Sequence, residues 1–424
     1  MQQSPTDASS RVLHITQPVD GGVARVVTDL VKAQLAAGIH VTVACSDDSR
    51  LADTLRALGG DVLHWSAARS PGPLLPQEVR RLARVVAAAR PDVLHAHSAK
   101  AGLAARLAVR GRIPTVFQPH AWSFEAVGGS LAALALRWER WGARWASRVV
   151  CVSEAERGTG QRAGVAARWS VIPNGVDLER FHPAAVDTVR AGIPLLAGAG
   201  VDPAAPLVVC VGRLCRQKGQ DVLLEAWGEV VRRVPGARLV LVGDGPDAPL
   251  LRALAPAGSV LFAGAAEDAV PWYQAADLVV LPSRWEGMAL APLEAMACGR
   301  PVVMTDVDGA SESLPTALAP RCLVPPRDPE SLARAIADLL SDPLLRESLG
   351  HQGRRHVLAT HDVRHMADAV AGVYRELLDA KRAESVRRTG RGRHAETAKS
   401  VEHAGGAGRA PGVEHTECRE SIHT

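Results

Sequence analysis

A unit made of a short apolar strand, a turn and an amphipathic helix recurs along most of this sequence, beginning at Arg11. The apolar segments expected to form strands in the first half are 12–16, 41–44, 93–96, 115–117 and 149–152. Those expected in the second half are 207–211, 239–242, 260–262, 278–281 and 302–304, with a helix over 331–340. Such alternation is typical of parallel sheets covered by helices. We therefore predict an α/β fold built from two doubly wound halves.

The boundary between the halves is indicated by composition. A chain of 424 residues is too long for one ordinary core and suits two domains. A stretch rich in Pro, Gly and Ala, from about 182 to 206, lacks helical or strand periodicity, and we interpret 186–206 as a linker. The predicted domains are 10–185 and 207–361, and a helix near 362–380 is expected to pack back on the first. Ligands of doubly wound sheets bind at the carboxyl ends of the strands, so the halves should face each other across a cleft.

The charge of the chain is concentrated near its end. The formal net charge is +4, and +3 of it falls within 381–424, a stretch with almost no large apolar residue. That composition predicts a disordered basic tail. The remainder is nearly neutral, which argues against a nucleic-acid partner.

The cysteines and the hydropathy pattern favour a cytoplasmic protein. The seven cysteines show no spacing typical of a zinc site, so we expect reduced thiols. No run of eighteen apolar residues occurs, and the first ten residues lack the features of a signal peptide. We expect a protein that is soluble or lies on the inner face of a membrane.

Two carboxylates lie eight positions apart in the second half. Glu286 follows the strand predicted at 278–281, and Glu294 is expected to begin a helix at 294–298. Both should point toward the carboxyl end of the sheet, where ligands bind. A carboxylate at a helix start is also a common partner of the helix dipole, so Glu294 by itself could equally be a cap.

The residues around this pair resemble a known signature. The run Ser283-Arg-Trp-Glu286-Gly, the spacing to Glu294 and the following Ala295-Met-Ala-Cys-Gly-Arg-Pro-Val are similar to the E-x7-E motif of the retaining, nucleotide-sugar-dependent glycosyltransferases of family 4. The resemblance extends from the first strand to about residue 380 and implies the GT-B fold. It also implies that Glu286 contacts sugar hydroxyls near the reacting carbon and that Glu294 binds the ribose.

A diphosphate site is indicated by two basic residues after the strand at 207–211. Arg213 and Lys218 lie five apart at a strand-to-helix turn, where helix amide groups add to the positive potential. Only five lysines occur among the 49 basic residues, which favours a specific role for Lys218. The resemblance implies that both side chains bind the donor diphosphate and that no metal ion is required.

Glycines at two other strand ends fit the same site. Gly21 and Gly22 join the first strand to a helix and would let backbone amides approach a phosphate, although a plain tight turn would also explain them. Gly243 and Gly245 resemble the family's G-x-G turn beside the nucleotide. The segment after Glu286 should contact the nucleotide or sugar through Gly287, Met288, Ala289 and Leu290. The family commonly has Gly-Phe-Gly after the first Glu, and this departure leaves the identity of the donor open.

The first half should supply the residues beside the transferred sugar and the acceptor. His120 follows a strand end and, by resemblance, would hydrogen-bond a sugar hydroxyl or steady the developing oxocarbenium charge. His95 and His97 end the preceding strand and were expected to alternate faces, so that one could reach the acceptor; no third metal ligand is evident nearby. Trp122 is a further candidate for acceptor contact.

Two remaining features concern a metal and a membrane. Asp306 and Asp308 look like the D-x-D metal pair of a different glycosyltransferase fold, and we discount them as ligands. Tryptophan and leucine form a stripe over 131–148, with arginines a quarter turn away. This stripe could lie on an anionic membrane, or it could face the sheet as core while the arginines coat the rim.

The resulting prediction is a retaining hexosyltransferase that uses a nucleotide sugar, with a UDP-hexose or UDP-N-acetylhexosamine as the expected donor. The acceptor is expected to be lipid-linked and to belong to cell-surface glycan or glycolipid biosynthesis. A soluble natural product, such as an antibiotic or aminocyclitol core, is the alternative acceptor. A nucleotide-sugar epimerase of the same fold is the alternative reaction.

Overall fold

The computed structural model describes residues 10–404 and contains two parallel β-sheets. The strands of the first sheet are β1 Arg11–Thr16, β2 His40–Cys45, β3 Asp61–His64, β4 Val93–His97, β5 Thr115–Gln118, β6 Arg148–Cys151 and β7 Trp169–Val171. The strands of the second are β8 Leu207–Val211, β9 Arg238–Val242, β10 Val260–Gly264, β11 Leu278–Leu281, β12 Val302–Thr305 and β13 Leu323–Val324. Sequence analysis missed β3, β7 and β13, which are short and lie toward the sheet edges.

Both sheets have the strand order of a doubly wound fold. The orders are β3-β2-β1-β4-β5-β6-β7 and β10-β9-β8-β11-β12-β13, with parallel pairing throughout. In each sheet the chain reverses direction of winding beside the first strand, at β1/β4 and at β8/β11. Ligands bind at such switch points. The predicted α/β architecture is confirmed.

Helices cover the sheets and connect successive strands. Those that follow the strands of the first sheet are α1 Gly21–Ala36, α2 Arg50–Ala57, α3 Leu75–Ala89, α4 Ala99–Val109, α5 Gly129–Gly142 and α6 Glu154–Arg162. The later helices of the described chain are α7 Val186–Ala191, α8 Pro194–Gly198, α9 Gln220–Arg233, α10 Ala248–Leu254, α11 Val270–Ala275, α12 Leu290–Ala297, α13 Ala319–Cys322, α14 Pro329–Ser341, α15 Pro343–Thr360 and α16 Val363–Ala404. Short 3-10 turns occur at Ala143–Trp145, Arg216–Lys218, Ser311–Ser313 and Thr316–Leu318.

The central strands are apolar along their whole length because both of their faces are covered. Leu207–Val211 reads LVVCV and Leu278–Leu281 reads LVVL, and nearly every residue in them is buried. Strands that are buried on both faces show continuous rather than alternating apolar character. The rigid sheet therefore holds its carboxyl-terminal loops, which carry the candidate site, in fixed positions.

The expectation of a linker without helices is wrong. Helices α7 and α8 lie within 186–206, and Ile193 and Leu196 are buried in the core of the second half. Arg190 anchors the segment by an ion pair with Asp277, which lies just before β11 (2.7 Å). The frequent Ala, Gly and Pro residues hid these elements, because each helix has only five or six residues.

The C-terminal helix is longer than the sequence predicts. Helix α16 continues to Ala404, so the expected disorder is wrong for 381–404; residues 405–424 lie outside the described part. This segment lacks an apolar stripe but contains many Ala, Glu, Lys and Arg residues, which favour helix by intrinsic propensity. Near its start, the Tyr374 hydroxyl and the His95 Nδ1 atom are 2.6 Å apart, and Glu376 forms an ion pair with Arg148 (2.7 Å).

Candidate active site

The loop from Glu286 to Leu290 lies directly against the first half of the chain. The Ser153 hydroxyl donates to the Gly287 carbonyl (2.9 Å), and the Asn174 side-chain amide donates to the Met288 carbonyl (2.8 Å). A methyl group added at Gly287 would lie 3.0 Å from the His120 carbonyl oxygen. Glycine therefore allows the close approach of the two halves there, and the sequence motif that contains Glu286 meets His120 across the cleft.

A second set of contacts closes the same side of the cleft. The Glu312 carboxylate accepts hydrogen bonds from the backbone N–H groups of Glu154 and Ala155 (2.7 and 2.8 Å), at the N-terminus of α6. A carboxylate in that position is stabilised by the helix dipole. The Thr159 hydroxyl donates to Asp308 (2.9 Å), so this aspartate binds the opposite half.

Ser153 connects these contacts to the start of helix α6, where it is the N-cap. Its hydroxyl accepts from the backbone N–H of Glu156 (3.0 Å), and the Glu156 carboxylate accepts from the N–H of Val152 (2.7 Å). The same hydroxyl uses its proton on Gly287. A residue that caps a helix in one half thus also orients the Glu286 loop of the other.

The centre of the site is an ion pair. Lys218 Nζ lies 2.5 Å from Glu286 Oε1, and the same oxygen accepts from the Ser283 hydroxyl (2.8 Å). Burial is the largest single influence on the pKa of Lys218 and lowers it, but the charge of Glu286 and the hydrogen bond with it, together with Cys215 and Cys210, raise the pKa above its ordinary value. Lys218 is therefore a cation at neutral pH. The other oxygen of Glu286 has no hydrogen-bond partner among the groups that the structure describes, which leaves it available to a sugar hydroxyl.

Arg213 lies on the neighbouring turn and is positioned through its backbone. Its carbonyl accepts a hydrogen bond from the Gln220 side chain (3.0 Å), whereas its guanidinium has no hydrogen bond or ion pair with the part of the chain that the structure describes. A planar donor array without a protein partner suits a diphosphate. The geometry is thus compatible with the predicted role of Arg213.

Gly243 and Gly245 have a packing role that the sequence did not suggest. A methyl group at Gly243 would lie 2.1 Å from the Gly212 carbonyl oxygen, and one at Gly245 would lie 2.2 Å from the Leu214 carbonyl oxygen. The φ angle of Gly243 is 142°, which other residues rarely adopt. These glycines let two backbone turns touch and so hold Arg213 in place. Their predicted contact with the nucleotide stays a prediction.

The expectation that Glu294 begins a helix is wrong. Helix α12 begins at Leu290, with Ala289 as its N-cap, so Glu294 lies in the second turn and is not a cap. Pro292 fits the first turn because its missing N–H would have no partner there. The Glu294 carboxylate accepts a hydrogen bond from the Tyr273 hydroxyl (2.7 Å), and burial raises its pKa.

Two helix N-termini meet at the predicted phosphate position. Helix α1 begins at Gly21, whose φ angle of 68° favours glycine, and a methyl group at Gly22 would lie 3.8 Å from Leu290 Cδ1. The backbone N–H groups of Met288, Ala289 and Leu290 have no acceptor among the residues described here. Unpaired amide donors at a helix N-terminus are suited to an anion. The Met288 and Leu290 side chains are buried, so these residues can bind a ligand through their backbone.

The prediction that His95 and His97 alternate faces is wrong. Residues two apart on a strand share a face, and the two ring centroids are 4.0 Å apart. Both side chains are fully buried, so neither contacts an acceptor. His14, which pairs in register with His95 across β1 and β4, supplies the third imidazole that the sequence analysis did not find. A polar residue in an otherwise apolar strand was the available signal.

His120 is connected to this cluster but lies at the cleft. Its Nε2 atom is 3.2 Å from His97 Nδ1, and its φ angle of 60° turns the chain sharply after β5. The His120 carbonyl lies close to Gly287. Burial lowers the pKa of His120 to about 3, so the ring is neutral at neutral pH.

Trp122 is a core residue and not an acceptor-binding one. Its side chain is 1% exposed, its indole N–H donates to the Glu156 carbonyl (2.7 Å), and its ring stacks on Phe124. The proposed acceptor contact is therefore wrong, because an aromatic ring that follows a strand end can fold back under α6.

The residues of the predicted tryptophan and arginine stripe do not all lie on one helix. Helix α5 ends at Gly142, and Arg148 lies in β6. Leu131, Leu134 and Trp141 are 63%, 65% and 46% exposed, so these three do not face the sheet as core. The inner face of α5 is instead held by a buried ion pair between Glu139 and Arg106 (2.8 Å).

The arginines of α5 and of the 3-10 turn that follows it lie beside the exposed apolar side chains. The Arg144 guanidinium carbon is 4.2 Å from the centroid of the Trp141 ring, and Arg137 and Arg140 are exposed. No helix among residues 10–404 is long and apolar enough to cross a bilayer.

Comparison with known proteins gives the family. The model described as Glycosyltransferase Family 4 matches residues 20–180, and that described as Glycosyl transferases group 1 matches residues 205–342. A GDP-mannose-dependent alpha-(1-6)-phosphatidylinositol monomannoside mannosyltransferase of Mycobacterium tuberculosis is 32% identical over 376 residues, which cover 82% of this chain and 94% of the relative. The chain belongs to glycosyltransferase family 4.

Other family 4 relatives match over a shorter stretch. A D-inositol 3-phosphate glycosyltransferase of Segniliparus rotundus is 36% identical over 228 residues, 49% of this chain and 48% of that protein. The chain thus spans about half the length of this relative. A solved structure of a sucrose-phosphate synthase from Thermosynechococcus elongatus superposes with a TM-score of 0.73 at 25% identity and covers 88% of this chain and all of that one. The GT-B architecture predicted for this family 4 chain is confirmed.

Several residues that position this family 4 site were not found from the sequence. They are Ser153, Asn174, Tyr273, Ser283 and Glu312. Each is polar and buried or half-buried. Ser153, Asn174 and Glu312 act through residues more than one hundred positions away, whereas Ser283 contacts Glu286 three positions along the chain. Among them only Ser153 carried a local signal, through its capping pattern.

Proposed function

We propose that this protein transfers a hexosyl group from a nucleoside-diphosphate sugar to an acceptor hydroxyl with retention of the anomeric configuration. The observation that carries this proposal is the Lys218–Glu286 ion pair, held in a loop that lies against His120 of the opposite half. These residues bring together a cation for the diphosphate, a carboxylate for the sugar and, across the cleft, an imidazole.

The leaving group determines what the second half must supply. Negative charge grows on the diphosphate as the bond to the sugar breaks, and fixed positive groups at that position lower the barrier. Lys218, Arg213 and the N–H groups at the start of α12 supply that charge. We therefore propose transfer without a metal ion, which predicts an unchanged rate in the presence of a chelator.

Retention follows if the acceptor enters on the face from which the diphosphate leaves. The sugar then lies between Glu286 and His120, and the nucleotide lies toward Glu294. The free oxygen of Glu286 would bind hydroxyls near the reacting carbon. In this arrangement the departing diphosphate is placed to take the proton of the attacking hydroxyl.

The donor is the part of the proposal on which the sequence and the relatives differ. The sequence favours a UDP sugar, whereas the relative that covers 94% of its length is named for GDP-mannose. Ala289 replaces a smaller residue expected beside the donor, which also separates this chain from the commonest sequence pattern. We propose GDP-mannose as the first donor to test, with UDP-hexoses and UDP-N-acetylhexosamines as the alternatives.

The surface of α5 favours a lipid-linked acceptor. Leu131, Leu134 and Trp141 are exposed beside Arg137 and Arg144, which is the chemistry of a helix that lies on an anionic bilayer. The relative named above acts on a phosphatidylinositol mannoside, according to its name. We propose peripheral membrane contact through this helix and a glycolipid acceptor.

The test is an assay of purified protein with a panel of nucleotide sugars, first by thermal shift and then by product mass. Anionic vesicles that contain a phosphatidylinositol glycolipid and a set of soluble aminocyclitols serve as the two acceptor classes. A glycosylated lipid supports the proposal, and glycosylation of the soluble acceptors alone overturns its acceptor part. An altered nucleotide sugar formed without acceptor would indicate an epimerase and overturn it altogether.

A further inference from the structure

A line of hydrogen bonds runs through the core of the first half and ends at His120. Gln34 Oε1 is 2.8 Å from His14 Nε2, His14 Nδ1 is 2.9 Å from His97 Nε2, and His97 Nδ1 is 3.2 Å from His120 Nε2. These four residues come from α1, β1, β4 and the turn after β5. The line uses both ring nitrogens of His14 and of His97.

The imidazoles in the line are neutral. His14, His97 and Gln34 are almost completely buried. Burial lowers the pKa of His14 to about 4 and that of His97 well below its ordinary value. A neutral imidazole has one N–H donor and one lone pair, so a hydrogen bond at one nitrogen fixes the role of the other.

The direction of the line is set by its inner end. Gln34 Oε1, which can only accept, faces His14 in this structure, an orientation that leaves the buried Gln34 Nε2 atom without a hydrogen-bond partner. With Gln34 in this orientation, His14 donates from Nε2 and accepts at Nδ1. His97 then donates from Nε2 and accepts at Nδ1. His120 in turn donates from Nε2, which leaves its Nδ1 as a lone pair. That Nδ1 has no hydrogen-bond partner among the described side chains and backbone groups and is not sealed from solvent.

We propose that Gln34, His14 and His97 are positioning residues that fix His120 in its Nε2–H tautomer, so that Nδ1 accepts a hydrogen bond from a substrate hydroxyl. The substrate part of this inference rests on the proposed glycosyl transfer. Of the two roles expected for His120, this tautomer favours the hydrogen bond to a sugar hydroxyl over stabilisation of the oxocarbenium charge. A neutral ring that accepts a hydroxyl proton carries no charge of its own.

A metal ion is the competing occupant of the same cluster. The nitrogen atoms of His14, His95 and His97 lie within 4.8 Å of one another. A metal held between His14 Nδ1 and His97 Nε2 would need a lone pair from each of them. Those two atoms are at ordinary hydrogen-bond distance, which requires a proton on one of them. The geometry therefore favours the hydrogen-bonded line.

The experiment is nitrogen-15 NMR of the histidine side chains in the full-length, substrate-free protein, with His120 assigned from a His120→Asn variant. We expect a protonated Nε2 and an unprotonated Nδ1. His97→Asn keeps an acceptor oxygen near the position of Nδ1 and should preserve this tautomer. His97→Leu removes the acceptor, and we expect His120 to become a mixture of both tautomers.

Turnover gives the second readout. We expect kcat to fall about tenfold in His97→Leu, the effect of about one hydrogen bond, with the KM for the donor little changed. His97→Asn should recover most of the rate. Gln34→Leu repeats the test at the far end of the line if His97→Leu does not fold.

The NMR result does not depend on transfer, so the two proposals can fail separately. A His120 that is protonated on Nδ1, or a tautomer that stays unchanged in both leucine variants, overturns the positioning role. Stoichiometric transition metal retained by the purified protein overturns it as well. The expected tautomer without turnover of any nucleotide sugar would leave the hydrogen-bonded line intact and contradict the proposed function.

Discussion

Lys218 and Glu286 are 68 positions apart in the sequence and form an ion pair whose Nζ and Oε1 atoms are 2.5 Å apart. The pair joins the turn after β8 to the loop after β11, the two strands at the switch point of the second sheet. A donor diphosphate would compete with Glu286 for Lys218. We therefore expect donor binding to transfer Lys218 to the phosphate and to release the carboxylate for the sugar.

Removal of the Lys218 cation should abolish most of the transfer and leave the fold intact. We expect Lys218→Ala to lower kcat by about 10²–10³-fold, the effect of losing one group that stabilises developing charge. Glu286 retains its hydrogen bond from Ser283, which limits the loss of stability. Steady-state kinetics and a thermal unfolding curve measure the two effects.

The matched control is Arg232→Ala, which removes a cation from an exposed ion pair with Glu229. Exposed pairs contribute little, so activity and melting temperature should both stay near the wild-type values. Turnover at the wild-type rate in Lys218→Ala would remove this residue from the site.

Features of the fold that depend on a short stretch of sequence could be predicted, and contacts between separate stretches could not. The apolar strands and the E-x7-E spacing are local patterns, and they predicted the parallel sheets and the loop that carries Glu286. The contacts of Ser153 with Gly287 and of Tyr273 with Glu294 depend on strand order and on how the halves meet. Ser153 and Gly287 are 134 positions apart, and a whole strand, β11, lies between Tyr273 and Glu294, so local patterns could not predict these contacts.

Errors in the predicted site have the same origin. Trp122 lies two residues after His120, but a strained turn sends one side chain to the cleft and the other into the core. His14 lies about eighty positions from the histidines that it contacts, and only the β1/β4 register brings them together. Composition could not place either residue.

Glycine at position 287 should be required for activity because of the close approach to His120. A methyl group there would lie 3.0 Å from the His120 carbonyl oxygen and 3.1 Å from Val152 Cγ2. We expect Gly287→Ala to displace the Glu286 loop and to reduce kcat/KM by at least about tenfold, since small misplacements of reacting groups are costly. Enzyme kinetics with a saturating acceptor measure this effect.

Gly228→Ala provides the control for this substitution. Gly228 lies in α9 with nothing within 4 Å of an added methyl group. Alanine is favoured over glycine within a helix by about 0.5–1 kcal/mol, so this variant should be slightly more stable and fully active. Equal activity of the two alanine variants would show that the contact at position 287 is not needed.

Asp29 on α1 should make the stability of the protein fall as the pH rises. Burial, followed by the nearby charges of Asp177 and Glu294, raises the pKa of Asp29 from 3.8 to about 7. Between these values the folded state holds a proton that the unfolded state has lost, so the free energy of unfolding decreases with pH across this window. Above pH 7 the Asp29 carboxyl is deprotonated in both states, and the full decrease in the free energy of unfolding is present.

Asp29→Asn removes the cost of a buried ionised carboxyl and keeps the shape of the side chain. We expect the variant to exceed the wild type by about 2–4 kcal/mol in free energy of unfolding at pH 8 and to match it near pH 4. Urea unfolding at the two pH values tests this, with Asp187→Asn at an exposed position as control. A difference that is equal at both pH values would contradict the assignment.

The exposed side chains of α5 should bind anionic vesicles. We expect the triple substitution Leu131→Gln, Leu134→Gln and Trp141→Gln to abolish flotation with phosphatidylinositol vesicles, because it removes the apolar area that enters the interface. The melting temperature should change little, since these side chains are exposed. Leu344→Gln, at a leucine that is 78% exposed on another helix, should float like the wild type. Flotation of the triple variant would exclude this surface.

The most direct measurement of the central claim is the anomeric configuration of the transferred sugar. GDP-mannose and the UDP sugars would each be supplied with the glycolipid acceptor, and the linkage in the product would be read from its one-bond carbon–proton coupling by NMR. We predict a glycoside with the same anomeric configuration as the donor, formed by the wild type and formed about 10²–10³-fold more slowly by Lys218→Ala. A product of inverted configuration, or one formed equally by the variant, would contradict the account.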